Sequence, residues 1–429
     1  MILRKLYFLF KIINNPKKDE VRLKELQNRK LRKMIRHAYN NVPYYHELFD
    51  KSGLKPKDIR TAEDLGRIPI TEKEDLISMG DLMLSQKIKI NRCRTRFTSG
   101  STGNPHKIVF DRVADDYGHA TDLRSLFQNG YKFNKRLLEV THPRHISNPT
   151  IMQRLGLHRT KLVSIFDSPE EIIRQIIEYK PHFLKAYPSV LRMLADKASG
   201  KVFGLEKIFT TSELLSGADR NRIVNRLGAD VIDLYGSVEF PRIAWECEKH
   251  EGYHIDIDSV IVEVIRDGKT VHEGTGDIVV TGLYNKAMPL IRYRIGDIGM
   301  ISGKERCSCG RSFPLLHSIR GRCNDRIILP SGREVDPIAL YSAESLFGIK
   351  SFRIIQEKPD FFKVEVVKGN KSMAEIRQSF NKSIRKAAGK DKVRIAIRAV
   401  KHIKSDRSGK FRCIISMINK RSTKKEARK

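Results

Sequence analysis

Apolar residues recur at helical spacing over residues 21–40, where Leu23, Leu26, Leu31, Met34, Ile35 and Ala38 share one side of a heavily charged stretch. That spacing predicts an amphipathic helix. Asn41-Val42-Pro43-Tyr44-Tyr45 then predicts its stop and a turn. Upstream, MILRKLYFLFKII (residues 1–13) is rich in Leu, Ile and Phe with three basic residues among them, and Asn14, Asn15 and Pro16 close it. Two readings fit this segment: a helix docked on the body by its apolar side, or a helix lying on an anionic membrane surface. Residues 1–60 hold 16 Lys+Arg against 6 Asp+Glu, which keeps the second reading open.

Between about residues 90 and 320, short β-branched runs alternate with helical segments. Leu137–Val140, Lys161–Ile165, Val231–Leu234, Val260–Ile265 and Asp277–Thr281 are such runs, and glycines gather where they end. The pattern predicts α/β layers. It changes around Ile319–Pro330, and the last hundred residues read as a small α+β module. Its expected strands are Phe352–Gln356, Phe362–Val367, Val393–Ile397 and Cys413–Met417, with a helix near Met373–Ala388. The fold class is therefore α/β: a large N-terminal domain of layered β-sheets and helices, followed by a small α+β C-terminal domain.

A length of 429 residues suits two or three domains. Apolar residues at 40% and charged residues at 31% allow a sizeable core beneath a polar surface, and exclude a collagen, a disordered tail or a disulfide-stapled mini-protein. The 82 Lys+Arg exceed the 50 Asp+Glu by 32, so anionic partners are expected. Six cysteines in a chain this long make no disulfide framework. Arg4, Lys5 and Lys11 interrupt the first apolar run, so no secretory signal is expected. No run approaches the ~20 apolar residues that span a bilayer. These features suit a cytoplasmic protein with reduced thiols.

Three segments carry chemistry. Phe97-Thr98-Ser99-Gly100-Ser101-Thr102-Gly103-Asn104-Pro105 joins two glycines to four hydroxyls. Backbone amides in such a loop converge on phosphate oxygens and the hydroxyls add donors; a plain surface linker is the alternative. Asp233-Leu234-Tyr235-Gly236-Ser237-Val238-Glu239 is an apolar strand, a glycine break and an acid beyond it. Ligands bind at such strand ends, and Glu239 could hold Mg2+ on a nucleotide or simply cap a helix. Ile291-Arg292-Tyr293-Arg294-Ile295-Gly296-Asp297 places a carboxylate at an expected turn. A carboxylate there can accept from both hydroxyls of a ribose, or make an Asx turn.

In this order the three segments, followed by Gly321-Arg322-Cys323-Asn324-Asp325 and Ser408-Gly409-Lys410, resemble the adenylate-forming (acyl-CoA synthetase-like) superfamily. NVPYY, IPITEKEDL, AYPSVL and AMPLIRYRIGD are similar to its phenylacetate–CoA ligase branch and that branch's relatives in polysaccharide clusters, over nearly the whole chain. The resemblance implies a first domain over residues 1–321 and a mobile second domain over 322–429. It implies ATP-dependent adenylation of a carboxylic acid, aromatic or related, then transfer of the acyl group to coenzyme A. Thr98, Ser99, Gly100, Ser101, Thr102 and Gly103 would hold the β- and γ-phosphates and Glu239 the Mg2+. Tyr235 and Gly236 would line the adenine and acyl pocket, and Asp297 would bind the ribose. Arg322 would help at the ribose, beside a hinge at Asn324–Asp325, where the family's usual acid is replaced by Asn324. Lys410 would stabilise the charge that builds on the α-phosphate, and the C-terminal module would rotate between the half-reactions. His106, where many members place Lys, is given no role.

The cysteines take on a second meaning beside that resemblance. Cys247, Cys307 and Cys309 with one histidine would make a Cys3His structural Zn2+ site, as several members of the branch carry. His254, within Gly252-Tyr253-His254-Ile255, matches the family's Gly-x-His element; His250 competes, and buried free thiols are the plain alternative. Two other functions compete with the ligase. One is an adenylating enzyme with an acceptor other than coenzyme A, or with a hydroxyl substrate such as a deazaflavin. The other is a basic nucleic-acid or membrane-surface binder on an inactive scaffold. No aromatic-basic interleaving of single-strand binders stands out, so nucleic acid ranks low. Peripheral membrane contact and a homodimer remain expectations.

Overall fold

The computed structural model describes residues 2–97, 106–146, 156, 159–198, 203–303, 306–322, 327–335, 337–341, 348–403 and 413–418. The chain divides into two compact units: Met1–Ser212, Ile223–Ile295 and Gly299–Ile319 in one, Glu213–Arg222, Gly296–Ile298 and Arg320–Lys429 in the other.

The first unit opens with helix α1 (Ile2–Ile12) and helix α2 (Glu20–Asn41). Asp19 caps α2 by accepting from the Arg22 amide at 2.9 Å. Its apolar positions face inward as the spacing predicts, with one exception: Gln27 is buried and Leu26 only half-buried. The Gln27 amide is satisfied there, donating to the carbonyls of Ile257 and Val260 at 3.0 and 3.2 Å. Val42 breaks the helix, but no open turn follows. Pro43 starts helix α3 (Pro43–Lys51) at once, because a proline in the first turn lacks only an amide the helix would not use. A short helix α4 (Lys73–Met79) follows.

Strands β1 (Arg94–Phe97) and β2 (Lys107–Phe110) form an antiparallel pair, and helix α5 (Arg112–Phe127) is capped by Asp111. A twelve-stranded sheet organises the rest. Its parallel half holds β3 (Leu137–Thr141), β4 (Thr160–Ser164), β5 (Phe183–Ala186), β6 (Lys207–Thr211) and β7 (Asp230–Tyr235), in the order β4-β3-β5-β6-β7. Its continuation runs through β8 (Ala244–Glu246), β9 (Tyr253–Ile255), β10 (Val260–Arg266), β11 (Lys269–Val271), β12 (Gly274–Gly282), β13 (Tyr293–Ile301) and β14 (Leu315–Arg322), in the order β8-β9-β14-β13-β12-β10-β11. The β-branched runs named above lie in β3, β4, β7, β10 and β12. β3, β5, β6 and β7 are buried at most positions, as interior strands of a parallel sheet are, whereas the edge strand β4 is mostly half-buried.

Beneath this sheet α5 contributes a fully buried charge. Arg124 pairs with Asp256 at 2.7 Å and with Asp258 at 2.6 Å, and all three are 0% exposed. Lys30 of α2 donates to the Asp258 carbonyl at 2.6 Å. The cluster ties α2 and α5 to the chain between β9 and β10. Burial pushes the Asp256 carboxyl up to about 6 against the pull of Arg124.

The second unit carries β15 (Ile327–Ile328) with β16 (Glu334–Val335), and a four-stranded sheet of β17 (Ile349–Lys358), β18 (Phe361–Lys368), β19 (Arg394–Ala399) and β20 (Ile414–Ser416), in the order β19-β18-β17-β20. β18 alternates buried and half-buried positions, as a one-faced strand must. The helix Met373–Ala388 begins at a capping box, Ser372 and Glu375 each bonding the other's amide. It buries Ile376, Phe380 and Ile384 against Phe352, Phe362 and Val364.

Candidate functional site

Strand β7 ends at the carboxyl edge of the parallel half, and the chain there turns back within eight residues to enter β8. Gly236 makes that return feasible: a Cβ on it would lie 2.3 Å from the Pro241 carbonyl oxygen, so only glycine fits. The Ser237 amide donates to the Phe240 carbonyl at 2.9 Å, the Phe240 amide returns to the Ser237 hydroxyl at 3.1 Å, and the Ile243 amide closes on Tyr235 at 2.9 Å. Glu239 sits half-buried on this turn, and the Tyr293 hydroxyl lies 3.4 Å from its Oε1. Burial, and then the neighbouring Glu239, push the Tyr293 phenol well above its usual value, so it stays a neutral donor to the carboxylate.

The Ile291–Asp297 segment differs from the expected turn. Tyr293–Ile301 is a single strand that passes through Gly296 at φ 86°, and Asp297 lies half-buried within it. Its two arginines are spent on structure. Arg292, in the left-handed region at φ 48°, pairs with Glu263 at 3.0 Å, and Arg294 pairs with Glu72 at 3.0 Å and also with Asp277. Of the other candidate residues, Thr98 to Gly103, the hinge pair Asn324–Asp325 and Lys410 lie outside the described residues, and Arg322 is described only as the last residue of β14.

Next to the β7 turn lies a charged group that motif reading misses. Arg242 is 2% exposed and donates through Nη2 to Asp122 of α5, while its Nε and Nη1 have no partner among the described residues. Lys185 of β5 reaches Asp122 at 3.2 Å and Glu139 of β3 at 3.4 Å. Burial opposes ionisation of Asp122, but Lys185 and Arg242 outweigh it and hold its carboxyl far below the usual range. A lysine inside the otherwise apolar Phe183–Ala186 is the signal that could have found the group.

In the antiparallel continuation, four donors converge. Cys247 directly follows β8, His254 lies in β9 opposite Trp245, and Cys307 and Cys309 precede β14, whose Leu315 pairs with His254. The Cys247 and Cys307 sulfurs are 3.5 Å apart, Cys309 Sγ is 3.4 Å from His254 Nε2, and all four ligand atoms lie within 4.8 Å of one another. His254 Nδ1 lies 3.3 Å from the Phe313 carbonyl, which turns Nε2 toward the sulfurs. Burial lowers the His254 imidazole to about 4, so it is neutral, the form that ligates a metal. Gly252 allows β9 to approach: its φ is 143° and a Cβ would lie 3.0 Å from the Leu316 carbonyl oxygen. His250 is directed elsewhere, with Nε2 2.9 Å from Asp230. Three sulfurs and one imidazole in a buried pocket fit a closed tetrahedral site.

Residues 328–417 match the family model of the CapK C-terminal domain. Over 326 residues, 72% of each chain, this protein is 29% identical to the phenylacetate–coenzyme A ligase of Thermus thermophilus. Over 315 residues, 70% of this chain and 68% of the other, it is 24% identical to protein CapK of Staphylococcus aureus. The fold superposes on 2-hydroxyisobutyryl-CoA ligase, solved in the postadenylation state with an acyl-AMP, at a TM-score of 0.77 and 18% identity, covering 97% of this chain and 93% of that one.

Proposed function

We propose that this chain, a member of the adenylate-forming superfamily related to phenylacetate–coenzyme A ligases and CapK, joins a carboxylic acid to coenzyme A at the expense of ATP. The observation that carries the reading is the likeness to a phenylacetate–coenzyme A ligase across 72% of the chain. The glycine-dependent turn that holds Glu239 at a sheet's carboxyl edge supports it, because ligands of such sheets bind there.

In the first half-reaction a carboxylate oxygen attacks the α-phosphorus of ATP. The bond from that phosphorus to the bridging oxygen breaks, and pyrophosphate leaves. The product is an acyl-adenylate. In the second, the thiol sulfur attacks the acyl carbon, AMP departs with the former carboxylate oxygen, and the thiol proton passes to solvent. Glu239 would hold a Mg2+ ion, which when bound would supply charge neutralisation at the phosphates. Thr98 to Gly103 cradle the β- and γ-phosphates. Tyr235 and Gly236 bound the adenine and acyl pocket. Asp297 and Arg322 hold the ribose, and Lys410 draws the two anionic reactants together. The domain border at residues 321 and 322 and a pivot at Asn324–Asp325 belong to the same proposal. Cys247, His254, Cys307 and Cys309 would hold a structural Zn2+ that staples β8, β9 and β14.

A second reading keeps adenylation and changes the acceptor. The observation behind it is that the C-terminal family model matched carries the name of CapK and not that of a coenzyme A ligase. No helix among the described residues is long and apolar enough to cross a membrane. A cytoplasmic setting, a peripheral membrane contact through α1 and a homodimer complete the proposal.

Pyrophosphate release from Mg·ATP across a panel of carboxylic acids, with and without coenzyme A, tests the reading. One acid should stimulate release and coenzyme A should sustain turnover. Acid-dependent release indifferent to coenzyme A would favour the second reading, and no release with any acid would remove both.

A further inference from the structure

Helix α1 is apolar on two opposite sides. Leu9 and Ile12 are 5% and 4% exposed and pack on Tyr117 and Ala120 of α5, with the Phe8 ring edge-on to Tyr117 at 5.3 Å. Leu3, Tyr7 and Phe10, spaced i, i+4 and i+7, form a stripe on the far side and are 82%, 52% and 78% exposed. Docking on the body therefore accounts for only half of this helix's apolar surface.

Beside the stripe is a cavity of about 440 Å³ lined by Leu3, Arg4, Arg94, Arg112, Asp115 and Asp116. Arg4 neutralises Asp116 at 2.6 Å, and Arg96 neutralises Asp115 at 2.6 Å. With Arg94 and Arg112 added, cations outnumber acids around the cavity. Arg4 donates to the Arg112 carbonyl at 3.0 Å and Arg112 to the Arg92 carbonyl at 3.0 Å. These bonds stitch α1 to the segment 87–96, which carries Lys87, Lys89, Arg92, Arg94 and Arg96 and no acid. Apolar stripe and basic cavity share Leu3, so they form one continuous surface.

We infer that this surface docks on an anionic lipid bilayer, the stripe entering the interface and the arginine-lined cavity receiving a lipid phosphate. A helix too short to span a bilayer, with large apolar residues outward and cations along its flank, is built to lie in the headgroup layer. The net positive charge of the surface disfavours a second copy of the chain as the occupant, since a two-fold contact would bring this basic patch against the same patch of the other copy. The inference deepens the peripheral contact proposed above and does not depend on the adenylation reading.

Co-sedimentation of the full chain with vesicles of phosphatidylcholine, with and without phosphatidylglycerol, tests it. Binding should be roughly tenfold or more stronger on the anionic vesicles. Leu3→Glu with Phe10→Glu should abolish it at an unchanged melting temperature. Arg94→Ser with Arg112→Ser should narrow the difference between the two vesicle types. Inorganic phosphate should weaken binding to anionic vesicles only in part, because the stripe still enters the interface; saturable binding of inorganic phosphate by a full chain that binds neither vesicle type would assign the cavity to a free phosphate and overturn the inference. Equal binding to both vesicle types, or undiminished binding by the double Glu variant, would overturn it as well. So would a dimer in solution that the double Glu variant dissociates. Pyrophosphate release measured on the same samples separates failure of this surface from failure of the enzymatic reading.

Discussion

The parallel half of the large sheet and its antiparallel continuation handle polar residues in opposite ways. At the end of β7 the chain makes a tight glycine turn that leaves the Glu239 carboxylate half-buried, touched only loosely by Tyr293 at 3.4 Å. At β8, β9 and β14, four soft donors are drawn to within 4.8 Å, with the histidine locked by a backbone carbonyl. The first arrangement leaves a carboxylate at a strand end; the second gathers its four donors around one point. The proposed reactive edge and the proposed zinc staple would thus share one sheet, because a strand end can present a carboxylate while paired strands bring donors from distant sequence into contact.

That contrast can be broken from either side. Cys307→Ser should release the metal and unfold the region around β14, at a cost of about 4–5 kcal/mol, the scale of losing a structural metal. Elemental analysis of the purified protein should find one zinc per chain in the wild type and none in the variant. Equal melting temperatures with and without a chelator would show that the four donors are only buried thiols and an imidazole. Lys410→Ala should leave the melting temperature and the zinc in place and slow pyrophosphate release by roughly 10²–10³-fold. An activity loss that instead tracks unfolding would return Lys410 to the ordinary lysines of this chain. Glu239→Gln keeps shape and removes charge. It should raise the magnesium needed for half-maximal release roughly tenfold, about 1.4 kcal/mol, and an unmoved magnesium titration would reassign Glu239 to the turn alone. The smallest effect is expected from His250→Ala, which breaks a partly exposed pair with Asp230 worth about 1 kcal/mol or less. Zinc content should not change; if it falls, His250 rather than His254 completes the set.

How much of this was legible in the sequence depends on the range of the interaction. The helix near Met373–Ala388 was readable, because helix-forming sequence is a local signal; its Ser372–Glu375 capping box went unread. β3, β7 and β10 stood out as β-branched runs. Gln27 was not legible as a core residue, since only the carbonyls of Ile257 and Val260, more than two hundred positions away, make its burial acceptable. The same applies to Arg124 with Asp256 and Asp258, and to Arg242 with Asp122 and Lys185. A linear pattern flags at most one member of such a group, as Lys185 in the apolar Phe183–Ala186 does, and not the distant residues that satisfy it. Asp297 shows the opposite failure. The glycine before it suggested a turn, whereas at φ 86° Gly296 only bends a strand that continues to Ile301. Among the site residues, Cys307-Ser308-Cys309 was visible by spacing, yet the meeting of that pair with Cys247 and His254 needed the register of β8, β9 and β14.

The account rests on the acyl-adenylate. Mass spectrometry of the protein incubated with Mg·ATP and the stimulating acid tests it directly. Without coenzyme A the acid should be found joined to AMP and retained on the enzyme; adding coenzyme A should convert it to the thioester with release of AMP. A folded protein with its metal site filled that forms no adduct between AMP and any acid would contradict the account.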